Sequence, residues 1–178
     1  MAIVPDDKDW TWVLQRACPE WGFDASTLPP ESIAPLLRAN ARAWQVVLGR
    51  PAAELRHRPA DDRWSPLEYA CHVRDVCVLY RERLELMLCE DDPLYPNWDQ
   101  DATAIEEGYR EQEPATVAAR LGEAAARLAG AFDAVRGAQW QRRGRRSDGA
   151  AFTVAGFGRY LIHDPAHHLY DVTEVRAG

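Results

Sequence analysis

Lysine is almost absent from this sequence. Lys8 is the only one, and arginine supplies the other 20 of the 21 basic residues. In a chain so rich in alanine and glycine, that imbalance reads first as coding bias. Cysteine is also scarce. Cys18, Cys71, Cys77 and Cys89 form no C-x-x-C pair, and Cys71 and Cys77 fall too far apart along one predicted helix for a relaxed disulfide. Buried thiols in a reducing compartment are expected. Basic charge is not in excess: the net charge of -7 argues against a nucleic-acid partner, whose binding rests on neutralised phosphates. No apolar run approaches the ~18 residues that cross a bilayer, and Met1-Ala2-Ile3-Val4-Pro5-Asp6-Asp7 lacks the basic flank of a signal peptide. No membrane partner and a cytoplasmic location are therefore expected. Internal repeats and low-complexity linkers are missing too. What remains is a chain of 178 residues, 47% hydrophobic and 28% charged. That is an ordinary globular composition for one domain.

The periodicity is helical. An irregular arm over residues 1–29 carries Trp10, Trp12, Trp21 and Phe23. Exposed tryptophans are costly, so the arm is expected to pack on the helices C-terminal to it. From Ser32 onward, Ile33, Leu36, Leu37, Trp44, Val47 and Leu48 recur at helical spacing, with Gly49 as a stop. Ser65-Pro66-Leu67-Glu68 is a capping box with proline at the first helical position; it predicts a second helix to about Cys89. A short helix is expected near Ala102 to Tyr109, and a third long one from Pro114 to Gly137. A last helix is predicted from about Thr153 toward Glu174. Residues Gln141 to Thr153, with Ser147-Asp148-Gly149, read as a turn region. Residues 30–178 are thus expected to form an all-α four-helix bundle.

Five histidines occur. His57 stands in a polar turn and reads as a surface residue. His163 and His167 are four apart, so on a helix their rings leave one face one turn apart, which is how a helix offers two nitrogens to one metal ion. His72 is the other histidine inside a predicted helix. Three such rings facing one bundle interior are expensive to bury unless something binds them. The competing reading is a hydrogen-bonded histidine cluster. Pro165 interrupts the histidine helix and calls for a kink that keeps both rings on one side. His168, rotated about 100° from His167, reads as an orienting or structural residue. Glu68 and Asp75, each one turn from His72, are candidate catalytic residues, although the cap explains Glu68 without chemistry. Asp75 and Asp171 suit either the orienting of an imidazole or salt bridges with nearby arginines. The run Arg142-Arg143-Gly144-Arg145-Arg146 suits either an anionic substrate or a solvated face.

Trp64-Ser65-Pro66-Leu67-Glu68-Tyr69-Ala70-Cys71-His72-Val73 resembles the W-S-x-x-E-x-x-x-H start of the second helix in the DinB-like (DinB/YfiT) superfamily. His163-x-x-x-His167-His168 resembles that family's C-terminal histidine helix, and Phe152-Thr153-Val154 the segment leading into it. The resemblance implies a four-helix bundle with a three-histidine divalent-metal site, matching His72, His163 and His167. It also implies zinc, nickel or iron as the metal and a homodimer as the assembly. Characterised relatives include bacillithiol S-transferases, a mycothiol-dependent maleylpyruvate isomerase and metal-dependent hydrolase-like proteins. Pro165 and the tryptophan-rich arm depart from the common pattern. Three neutral imidazoles leave a coordination position for water or a thiolate, whose pKa the cation lowers. The expected function is an enzyme that activates a small molecule there. Transfer of a low-molecular-weight thiol of the mycothiol or bacillithiol type comes first. A metal-dependent hydrolase, or a non-catalytic metal-binding stress protein, are the alternatives. Asp75, Glu68 and the Asn97-Trp98-Asp99 loop are the candidate proton-transfer groups.

Overall fold

Caps and prolines set where the helices begin. In the computed structural model, which describes residues 10–173, helix α1 (Ile33–Leu48) follows a 3-10 turn opened by Pro30. A single helical turn, α2 (Ala52–Leu55), leads on to α3 (Pro66–Cys89). The α3 start is the reciprocal cap read from the sequence: the Glu68 backbone N–H donates to Ser65 Oγ, and the Ser65 N–H donates to Glu68 Oε2 at 2.9 Å. A two-residue strand, β1 (Leu94–Tyr95), precedes α4 (Gln100–Glu106), whose first N–H groups are capped by Asp99. Then come α5 (Pro114–Asp133), strands β2 (Arg143–Arg146) and β3 (Ala151–Thr153), and α6 (Val154–Thr173). The residues before Trp10 and the expected helix end at Glu174 lie outside the described residues.

Helices α1, α3, α5 and α6 form the four-helix bundle. Their inward faces interlock in one cluster that includes Leu37, Leu84, Leu128, Phe132, Phe157 and Leu161. Toward the start of α3, a second cluster gathers Trp44, Leu55, Leu67, Tyr109, Val117 and Leu121. Among the described residues no helix is long and apolar enough to cross a membrane.

Two features differ from the sequence reading. The turn region contains a small sheet in which β2 pairs antiparallel with β3 and parallel with β1. The arginine-rich β2 lacks the β-branched pattern that announces a strand. It holds its place because Gly144 packs on α3, where an added Cβ would meet Met87 Cγ at 2.6 Å. Helix α5 stops at Asp133, and Gly137, at φ +48°, opens a 3-10 turn instead of closing the helix. The last helix, α6, contains Pro165 as expected, and the Pro165 carbonyl accepts a hydrogen bond from Asn40 of α1 at 2.9 Å.

The sheet also resolves an oddity at the end of α3, where the acids Asp91 and Asp92 come directly after the helix. Arg142 reaches back, donating from Nε to the Met87 carbonyl at 2.7 Å and from Nη2 to the Glu90 carbonyl. A cation thus meets the free carbonyls of the helix terminus. The arm lies on α6: Trp10–Leu14 forms a 3-10 turn against it, and Trp21 stacks between Phe23 (4.8 Å) and Tyr170 (5.4 Å).

Candidate metal centre

A cavity of about 860 Å³ opens between α3, α6, the arm and the loops before α4 and β3; His72, His163, Asp164, His167, His168 and Trp98 are among its lining residues. The cap at Ser65 fixes the phase of α3 and so turns His72 inward, 1% exposed. Two indoles hold its ring. Trp98 stacks on it at 5.3 Å with planes 9° apart, and Trp64 lies 5.3 Å away on a tilt. Trp98 is itself anchored by its Nε1–H, which donates to Thr103 Oγ1 at 2.8 Å.

Across the cavity, α6 presents Asp164 and His168 one turn apart. His72 Nε2 lies 3.4 Å from Asp164 Oδ1 and 3.3 Å from Oδ2, while His168 Nε2 lies 3.4 Å from Oδ1. These separations exceed the usual 2.7–3.2 Å of N–H···O hydrogen bonds. They equal the edge, about 3.3 Å, of a tetrahedron whose centre is about 2.0–2.1 Å from each nitrogen or oxygen. The three donor atoms lie within 4.8 Å of one another. Two imidazoles and a carboxylate form a donor set that suits zinc, nickel or iron better than magnesium or calcium. The residues fit a divalent ion.

Without an ion, the same groups form an ion pair. Loss of solvent alone would raise the Asp164 pKa, but His72 and His168 hold it far below the usual carboxylate range. Desolvation likewise disfavours the charged form of His168, yet Asp164 and Asp171 lift its pKa to about 9. Burial first, then His167, pushes His163 down to about 4. These shifts have opposite linkage. Stability from His168 is fully present below its unfolded pKa of about 6.5 and is lost as pH rises through about 9. Stability from neutral His163 is present above about 6.5 and is lost as pH falls toward 4, where Asp164 begins to act in the same direction. The melting temperature of chelator-treated protein, followed by calorimetry from pH 4 to 10, is expected to peak near pH 6.5 and decline on both sides. A steady rise through pH 9 would contradict the charged state of His168.

The structure distributes the expected site residues differently. His72 groups with Asp164 and His168, and His163 and His167 form their own group with Cys18. Among the described residues, no such group holds His72 together with His163 or His167. Asp171 Oδ2 lies 3.7 Å from His167 Nε2 and 3.6 Å from His168 Nδ1, close enough for charge interaction but beyond hydrogen-bond length. Neither Glu68 nor Asp75 is among the residues that line the cavity. Asp75 is held by Arg74, at 2.7 and 2.9 Å, and by the Tyr109 hydroxyl at 2.5 Å. Glu68, 3% exposed, completes the cap and forms a bidentate pair with Arg58. Arg58 lowers the Glu68 pKa against the pull of burial. Glu68→Gln keeps the cap but strips Arg58 of its charge partner, so a loss of ~1–3 kcal/mol in urea denaturation is expected. Metal content is expected to stay unchanged.

Sequence reasoning passed over Asp164 because it looked for histidine alone. The signal was present: Asp164-x-x-x-His168 has the same four-residue spacing as His163-x-x-x-His167, one residue later. It also passed over Cys18, which is remote in sequence and close only through the path of the arm.

Comparison with known families matches residues 36–172 to the DinB superfamily. The chain belongs to that superfamily. Among solved structures, YfiT from Bacillus subtilis is similar over 97% of this chain and 90% of its own. The TM-score is 0.64 and the sequence identity 18%. YfiT is described as a probable metal-dependent hydrolase with an unusual four-helix bundle topology. No protein of curated function matches the sequence. In this member of the DinB superfamily the match begins within α1 and ends within α6. It therefore spans His72, Asp164 and His168 but not the arm.

Proposed function

We propose that this chain is a divalent-metal-dependent enzyme whose ion is held by His72, Asp164 and His168. Its substrate is a small molecule bound in the adjoining cavity. The observation that carries this reading is the set of three side chains from two helices, spaced as ligands, at the wall of a cavity large enough for such a molecule. A cation bound there supplies Lewis acidity and lowers the pKa of a coordinated water or thiol. Asp164 and the two imidazoles would set its charge, and the Asp171 carboxylate lies 3.6 Å from His168 Nδ1. Trp64 and Trp98 pack against the His72 ring and restrict its rotation.

The far side of the cavity is cationic. Arg83, 5% exposed, lies 5.5 Å from the Tyr80 ring and 4.8 Å from the Tyr95 ring, donates to the Pro96 carbonyl at 2.7 Å, and among the described residues pairs with no carboxylate. Arg146 lines the same wall, bonded to Asp148 at 2.8 Å and to the Tyr160 hydroxyl at 3.2 Å. A buried guanidinium without an acid favours a substrate with an anionic group.

Thiol transfer and hydrolysis both use this arrangement. The open cavity beside the ligands suits a bulky low-molecular-weight thiol together with its electrophile. The description of YfiT favours hydrolysis. The deciding assay incubates metal-loaded protein with a fluorogenic alkylating electrophile, with and without mycothiol or bacillithiol, beside a panel of carboxylate-bearing esters and amides. Turnover that requires the thiol supports transfer; turnover of an ester or amide without it supports hydrolysis. Failure of both in fully loaded protein would overturn the enzymatic reading in favour of a metal-binding protein.

A further inference from the structure

The face of α6 next to the proposed catalytic ligands carries a second set of donors that shares no residue with the first. Cys18, His163 and His167 are 2%, 4% and 9% exposed, and their ligand atoms all lie within 4.8 Å of one another. Cys18 Sγ is 3.8 Å from His167 Nδ1, and the two imidazoles stack with centroids 5.3 Å apart. At bond lengths of about 2.3 Å to sulfur and 2.0–2.1 Å to nitrogen, a tetrahedral zinc ion holds such atoms about 3.6 Å apart. His163 Nε2 is buried with no hydrogen-bond partner, which a protein interior rarely tolerates without a missing ligand. The other nitrogen of His167 faces carboxylates: Nε2 lies 3.6 Å from Glu20 and 3.7 Å from Asp171. The Trp10 ring covers both imidazoles at 5.6 and 5.7 Å, and Trp12 meets His163 edge-on at 6.0 Å.

We propose that Cys18, His163 and His167 form a second metal site, for a borderline-soft divalent ion such as zinc, that fastens the N-terminal arm to α6. One sulfur and two nitrogens exclude magnesium and calcium as occupants. On binding, the Cys18 thiol gives up its proton to solvent and the thiolate becomes the ligand. The arm then forms part of the wall of the catalytic cavity because an ion ties it there, while its tryptophans keep water from the ligands.

Cobalt(II) is the probe that separates this site from the first, because only a thiolate ligand gives an intense near-ultraviolet charge-transfer band. The full-length reduced protein, loaded with cobalt under anaerobic conditions, is expected to bind about two ions per chain and to show the band. Cys18→Ser is expected to bind about one ion and lose the band; His163→Gln is expected to lose one ion likewise. His72→Ala is expected to lose one ion and keep the band, so failure of the catalytic ligand set is read apart from failure of this one. Absence of the band in wild type, or its survival in Cys18→Ser at unchanged stoichiometry, would overturn the site.

Discussion

An ion at His72, Asp164 and His168 is expected to raise the melting temperature at pH 7.5 by about 5–11 °C over the chelator-treated protein, and His72→Ala is expected to lose this contribution. An ion bound only to the folded state, present at a hundredfold excess over its dissociation constant, stabilises by about 2.7 kcal/mol. For a chain of this size each kcal/mol moves the melting temperature by roughly 2–4 °C. Removing His72 leaves Asp164 and His168 as two ligands on one turn of α6 and takes away the only one from α3. His72→Ala also opens a void between Trp64 and Trp98. The comparison that matters is therefore loaded against chelated protein within each variant, which cancels the packing loss. His57→Ala, in the turn before α3, is expected to leave the gap unchanged.

The second large effect concerns what seats α6. Phe157 is 1% exposed, stacks on Tyr80 at 4.7 Å and meets Tyr95 and Phe152 edge-on at 6.2 and 6.0 Å. It joins α6 to α3 and to the small sheet, two turns before the ligand residues. Phe157→Ala is expected to cost ~3–5 kcal/mol through lost burial and the cavity left behind. That corresponds to a melting temperature lower by about 6–20 °C. Metal content per folded chain is expected to persist, because no ligand is touched. A loss under ~1 kcal/mol would mean that the aromatic cluster collapses into the space and that α6 is held elsewhere.

The bundle was legible because its helices announce themselves locally. The cap at Ser65 and Glu68 fixes the start of α3 and the stripe from Ile33 to Leu48 marks α1, with no help needed from distant contacts. The sheet was not legible, since β2 is stabilised by a close approach of Gly144 to Met87 and by pairing with β1, both of which are long-range. The site divides in the same way. Helical spacing singled out α6 and His72 of α3, and both line the cavity. Spacing alone does not decide which of two overlapping four-residue pairs faces which neighbour, because 163/167 and 164/168 differ only by a rotation of about 100°. Packing decides that. The Asn40 contact at Pro165 ties α6 to α1, and in the packed bundle Asp164 and His168 lie by His72 while His163 and His167 lie by Cys18 of the arm. Glu68 and Asp75 were judged by proximity along α3, yet their carboxylates are taken up by Arg58 and the cap in one case and by Arg74 and Tyr109 in the other.

Anomalous diffraction from crystals of the zinc-loaded protein, collected on both sides of the zinc absorption edge, locates the ions without reference to activity. The account predicts a peak about 2.0–2.2 Å from His72 Nε2, His168 Nε2 and a carboxylate oxygen of Asp164. A peak coordinated by His72 together with His163 and His167, with Asp164 left outside, would contradict it.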